Sequence, residues 1–200
     1  MTSKTQTTSI IALSALIVTF AMPGAFASVG VVESYYWQQN PEVCFDDDQL
    51  DDITIGGVKN QHTAIRGEVN QAIDRYQTAM DDQDIQQVFD CISNTGMIFV
   101  GSESMGWWSY TATNTAYYTG TEYDVADIEF NTDKEFGDDT NNCVSTTKDI
   151  EWVAMHELGH AVGLSHHWDV TYSHSVMDPY CDPNWALIQS VDDTALNLKY

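Results

Sequence analysis

Positive charge is scarce in this chain. Its 200 residues hold 7 lysines and arginines against 30 aspartates and glutamates. So negative a surface repels nucleic-acid phosphates and anionic membranes, and neither is expected as a partner. Proline is also scarce, at four residues, and no Pro-rich hinge, low-complexity linker or internal repeat divides the chain. Beyond the first 27 residues there is no long apolar run, so no membrane-spanning helix is expected there. Cysteine is limited to Cys44, Cys91, Cys143 and Cys181. None of the close spacings of a Cys-based zinc site occurs among them, which argues against that class of metal fold.

What is present starts with an export layout. In "MTSKTQTTSIIALSALIVTFAMPGAFAS", Lys4 precedes an uncharged apolar run from Ile10 to Phe20, and Ala25-Phe26-Ala27 forms an A-x-A site. This predicts a secretory signal peptide over residues 1–27, cleaved before Ser28. The run is short for a bilayer anchor. A secreted, monomeric protein with one domain over residues 28–200 is expected, long enough to bury a single core. An even cysteine count in an exported chain predicts two disulfides. Three pairings are open, and chain order favours Cys44–Cys91 with Cys143–Cys181. Acid is spread along the whole chain, as in proteins of salty media, where counterions screen self-repulsion. Calcium is the alternative, with Asp46-Asp47-Asp48 and Asp138-Asp139 as candidate sites. Solvated charged loops account for both runs, and no EF-hand loop pattern occurs.

Periodicity sketches the elements. Val29–Trp37 reads as a strand, being β-branched and aromatic. Ile65, Val69, Ala72, Ile73, Tyr76 and Met80 recur at helical spacing and predict an amphipathic helix from Gln61 to Met80. Met97–Val100, Thr115–Thr119 and Tyr123–Asn131 read as strands, the last two joined at Gly120. Thr146 and Asp149 fit a capping box opening a second long helix. In the final segment, Val191–Tyr200, Asp192 and Asp193 favour a helix start. The order gives an α+β fold with a small sheet.

The stretch "MHELGHAVGLSHHW" (Met155–Trp168) holds four of the six histidines. On a helix, positions four apart share a face, so His156 and His160 can reach one ion. Glu157 lies about 100° around the helix, beside such an ion rather than on it. Gly163 accepts the left-handed turn that ends a helix and returns the chain, bringing His166 to the same point. Three neutral imidazoles with the fourth tetrahedral position left to water make a catalytic rather than a closed structural zinc site. His167 points away from its neighbour, and His174 lies in a loop.

"HELGHAVGLSHH" followed by "SVMDPY" resembles the H-E-x-x-H-x-x-G-x-x-H motif and methionine turn of the metzincin metallopeptidases, and within that clan it is most similar to the matrixin, or matrix metalloproteinase-like, group. The resemblance implies one catalytic zinc on His156, His160 and His166, catalytic Glu157, and Met177 in the turn beneath the metal. It implies a metzincin-like fold: a twisted mixed sheet, a packing helix, an active-site helix, the Met-turn and a C-terminal helix, to which "DDTALNLKY" is similar. Pro179 follows the matrixin pattern; Tyr180 falls one residue after the position of the extra tyrosine ligand in astacin-like members. His167 departs from the usual serine, and no zinc-masking propeptide motif is recognisable. "NTDKEFGDDTNN" (Asn131–Asn142) is short and lacks histidine, so no second zinc is expected.

Together these features predict a secreted zinc endopeptidase acting on protein or peptide substrates. The substrate is expected along Thr115–Thr119, with a pocket walled by Pro179–Ile188, including Trp185. Two rivals are an exported zinc-binding module without catalysis and a zinc hydrolase of small amides.

Overall fold

The computed structural model describes residues 33, 35–59, 61–80, 85–88, 96–106, 111–137, 147–167, 175–179 and 188–199. The leader over residues 1–27, Cys91, Cys143, Cys181, Asp138-Asp139, Thr146, His174, Tyr180, Trp185 and most of the expected strand Val29–Trp37 lie outside them.

The apolar stripe on the first long helix dictates how it packs. It runs His62–Ala79 (here α2, after a short α1 at Asp47–Leu50) and buries Ile65, Val69, Ala72, Ile73 and Tyr76. Five strands form the main sheet. These are β1 (Glu42–Phe45), β3 (Gln86–Val88), β4 (Met97–Glu103), β5 (Ala112–Thr119) and β6 (Glu122–Asn131), in the spatial order β3-β1-β4-β6-β5. All neighbours are parallel except β5, which runs antiparallel to β6 and forms an edge. Both strands of that hairpin are as expected but begin earlier, and Gly120 turns it at φ +69°. The alternation expected in β6 is realised: Ala126, Ile128 and Phe130 are buried, while the acidic residues between them stay partly exposed. Of the N-terminal strand expected at Val29–Trp37, the described part is a single bridge, Tyr36 to Glu122.

A second, parallel sheet joins β2 (Thr54–Ile55), β7 (Glu135–Gly137) and β8 (Thr147–Asp149). It corrects the capping expectation. Residues 147–149 are held as a strand by pairing with β7, so α3 begins only at Ile150 and runs to Ala161. Asp149 is itself the N-cap, its carboxylate accepting from the Trp152 amide at 2.8 Å. The last helix, α4 (Ser190–Lys199), carries Asp192 and Asp193 in its first turn, as expected. Helix α3 packs on α2, β5 and β6, which puts the histidine motif between the helical layer and the sheet edge. Among the described residues no helix is long and apolar enough to cross a membrane.

Candidate metal centre

Helix α3 is buried around almost its whole circumference, from Ile150 to Gly159 and again at Ala161. Two histidines and two glutamates, Glu151 and Glu157, within such a helix need partners, because unpaired buried polar groups are costly. The histidines have them. The His156 Nδ1 lies 2.8 Å from the Val176 carbonyl, and the His160 Nδ1 lies 2.8 Å from the Leu164 carbonyl. A carbonyl only accepts, so each Nδ1 must carry the proton, and each neutral ring presents a bare Nε2.

Burial keeps these rings neutral. It lowers the pKa of His156 to about 3, helped by neighbouring His160, and that of His160 to about 4. His166, less buried, is also lowered, mainly by burial. One ring nitrogen from each of the three converges within 4.8 Å of the others. The Nε2 atoms of His156 and His166 are 3.2 Å apart. Zinc–nitrogen bonds of about 2.0–2.1 Å at tetrahedral angles set ligand nitrogens about 3.4 Å apart. The trio therefore fits zinc in donor type, protonation and spacing, and a shared cation relieves the repulsion between the lone pairs.

Gly163 has φ +87°, the left-handed turn expected of it, and the chain returns His166 to the site. A second constraint was not foreseen: a Cβ at Gly163 would collide with the Lys199 ammonium. Glu157, which neighbours the first ligand, is buried, and burial alone raises its carboxyl pKa to about 8 in the metal-free protein. His167 is buried and is not one of the three converging rings. Its amide donates to the Met177 carbonyl at 3.0 Å, and it lowers the pKa of Asp192 electrostatically.

Met177 is buried in a turn closed by the Asp178 amide on the Ser175 carbonyl at 3.1 Å. Its thioether lies against Gly159, where a Cβ would overlap Sδ and stand 2.5 Å from the Tyr76 hydroxyl. Glycine within the motif thus allows turn and helix to meet.

Two residues of the site were not recognised in the sequence. Asp192, read there only as favouring a helix start, accepts from Ser175 Oγ, from the Val176 amide at 3.1 Å and from the Gln189 amide at 2.9 Å. It anchors Val176, the residue whose carbonyl orients His156. Burial raises its pKa, opposed by these hydrogen bonds. Tyr76, read as core, donates its hydroxyl to the Met155 carbonyl at 2.8 Å and ties α2 to the active helix. An acidic pair opening the final helix was the signal for Asp192; nothing local marked Tyr76.

Cys44 is fully buried on β1 and is not a free thiol. Comparison with known proteins finds the Matrixin family model matching residues 59–197, which covers the packing helix, the hairpin, the histidine motif and nearly all of the last helix. No curated protein matches the chain.

Proposed function

The chain belongs to the matrixin family of metallopeptidases, and from that premise we propose that it is a secreted, zinc-dependent endopeptidase. The observation that carries this is the convergence of His156, His160 and His166 beside a buried Glu157. Family membership supports zinc as the metal and protein or peptide chains as substrates. Zinc held there supplies Lewis acidity, acidifying water and polarising a peptide carbonyl.

The chain's own residues do the rest. The three imidazoles hold the ion without adding charge, which leaves the dication's field intact at the reaction point. Glu157 takes the proton from the attacking water and delivers it to the departing amine nitrogen. Met177 and Asp192 fix the floor and so the direction of His156. Among the described residues no strand pairs with the outer edge of β5, and this edge would accept an extended peptide as an added strand beside α3. A pocket walled by Pro179–Ile188 would then select the neighbouring side chain.

Export rests on the leader over residues 1–27, and it agrees with a Cys44 that is not a free thiol. The four cysteines, Cys44, Cys91, Cys143 and Cys181, then form two disulfides. Four reactive thiols in denatured, unreduced protein would remove that element. The activity is tested by incubating the mature protein with casein across low to high salt. Cleavage should stop with a zinc chelator and return when zinc is restored. Cleavage indifferent to chelation would overturn the assignment, and zinc binding without cleavage of any peptide would leave the non-catalytic module. The salt profile separates a role for the acidic surface from a specific need for calcium.

A further inference from the structure

The turn between the second and third candidate ligands is fastened from two distant parts of the chain. Its Gly163 carbonyl accepts from the Glu33 amide at 2.8 Å and from Lys199 Nζ at 3.3 Å. The same ammonium donates to the Glu33 carbonyl at 3.2 Å and to the Tyr35 carbonyl. It also sits 5.6 Å from the Tyr123 ring centroid. The Glu33 carboxylate accepts from the Tyr123 hydroxyl at 2.6 Å and from Ser165 Oγ at 3.4 Å. Two residues after Tyr35, Trp37 donates its indole N–H to the Ala161 carbonyl at 2.8 Å. The end of α3 is thus capped by groups from the N-terminal segment and from the last turn of α4.

We propose that Lys199, with Glu33, is a positioning residue for the metal centre: it clasps the Gly163–Ser165 turn and so sets the direction of both His160 and His166. The proposal rests on zinc occupying the histidine trio. Lys199 donates to backbone carbonyls, that of Gly163 among them, so its effect passes through the backbone. Holding the Gly163 carbonyl fixes the peptide plane that continues into Leu164. That residue's amide donates to the Gly159 carbonyl at 2.8 Å, while its own carbonyl receives the His160 Nδ1 proton at 2.8 Å. Two residues later the chain delivers His166. Gly163, at φ +87°, has no side chain of its own to fix the turn, and a Cβ there would meet the Lys199 ammonium. An ammonium at a helix C-terminus also opposes the partial negative charge of the last carbonyls.

The geometry assigns the lysine to this place with some insistence. Cations are few in this chain, and most of the Lys199 side chain is withdrawn from water, which lowers its pKa to about 8 against the raising influence of Glu33. Burying a cation without partners is costly, and three carbonyls offset that cost here.

The test is zinc affinity, measured on the mature full chain by competition with a chromophoric chelator well below the melting temperature of every variant. Outer-sphere partners of a metal ligand commonly change affinity 10–100-fold. Lys199→Met should raise the zinc Kd about 10-fold, and Lys199→Arg, which can reach the same carbonyls, should recover most of the loss. Cobalt in place of zinc should show a shifted ligand-field absorption in Lys199→Met and a normal one in Lys199→Arg. A purely structural lysine would lower Tm yet leave Kd and the cobalt spectrum unchanged; that result overturns the proposal. Should Lys199→Met not fold, Glu33→Ala decides: a several-fold weaker zinc Kd supports the clasp, and an unchanged Kd refutes it. Failure of the wild-type protein to bind zinc would overturn the functional assignment instead.

Discussion

Replacing a helical glycine by alanine should have opposite effects at two places in this fold. Gly67 lies exposed in α2, and a Cβ there meets nothing within 4 Å. Alanine gains about 1 kcal/mol of helix propensity over glycine, so Gly67→Ala should stabilise by about that amount. Gly159 in α3 has the same propensity gain to offer, but its new Cβ would overlap Met177 Sδ and stand 2.5 Å from the Tyr76 hydroxyl. Forcing a methyl into a packed core costs about 1–3 kcal/mol. Displacing the Tyr76 phenol from the Met155 carbonyl leaves buried polar atoms unmatched, at about 1–3 kcal/mol more. Against the gain of about 1 kcal/mol, the net is a loss of about 3 kcal/mol, the middle of the range these terms span. For a chain of this length each kcal/mol moves Tm by about 2–4 °C. Thermal unfolding of the chelated protein should therefore show Gly159→Ala about 6–12 °C below wild type and Gly67→Ala about 2–4 °C above it. Zinc affinity should fall only in the first, because Met177 supports the ligands. Equal upward shifts for both variants would refute the packing of the Met-turn against the helix.

Two further outcomes follow from the buried carboxylates. Burial raises the folded pKa of Glu157 to about 8, above its ordinary 4.5, so the folded chain keeps a proton that the unfolded chain has released. Its contribution to stability is complete below about pH 4.5 and is lost as pH rises toward 8. In chelator, Glu157→Gln should match wild type at pH 4 and exceed it progressively above that, by up to about 1.4 kcal/mol per pH unit. Urea titrations read the gap; a gap that stays constant or narrows with pH contradicts the burial of Glu157. Asp192→Ala strands the Ser175 hydroxyl and the Val176 and Gln189 amides, and should cost about 3 kcal/mol while weakening zinc binding, both read by zinc titration beside thermal unfolding. Stability lost with zinc affinity intact would separate the Met-turn from the direction of His156.

Local periodicity carried much of this fold. The α2 stripe, the β5–β6 hairpin at Gly120, the motif helix and the last helix were legible because each follows from spacing within one segment. The site was legible for the same reason: His156, Glu157, His160, Gly163 and His166 lie within eleven consecutive residues. What escaped was long-range. The start of α3 is set by β8 pairing with β7, itself held by β2 from far back in the chain, which displaced the cap from the expected box to Asp149. Asp192 could be read as a first-turn carboxylate but not as the anchor of Val176, because only folding brings α4 under the turn. Lys199 and Glu33 stand 166 residues apart, and no local pattern links a terminal lysine to a zinc-binding turn.

The central claim is that three histidines hold zinc while Glu157 moves the proton. Its most direct test is Glu157→Ala beside wild type, with zinc content and casein turnover measured on the same preparations. The account predicts one zinc per chain in both proteins and turnover reduced to near background in the variant. Turnover that persists, or zinc lost together with Glu157, would contradict it.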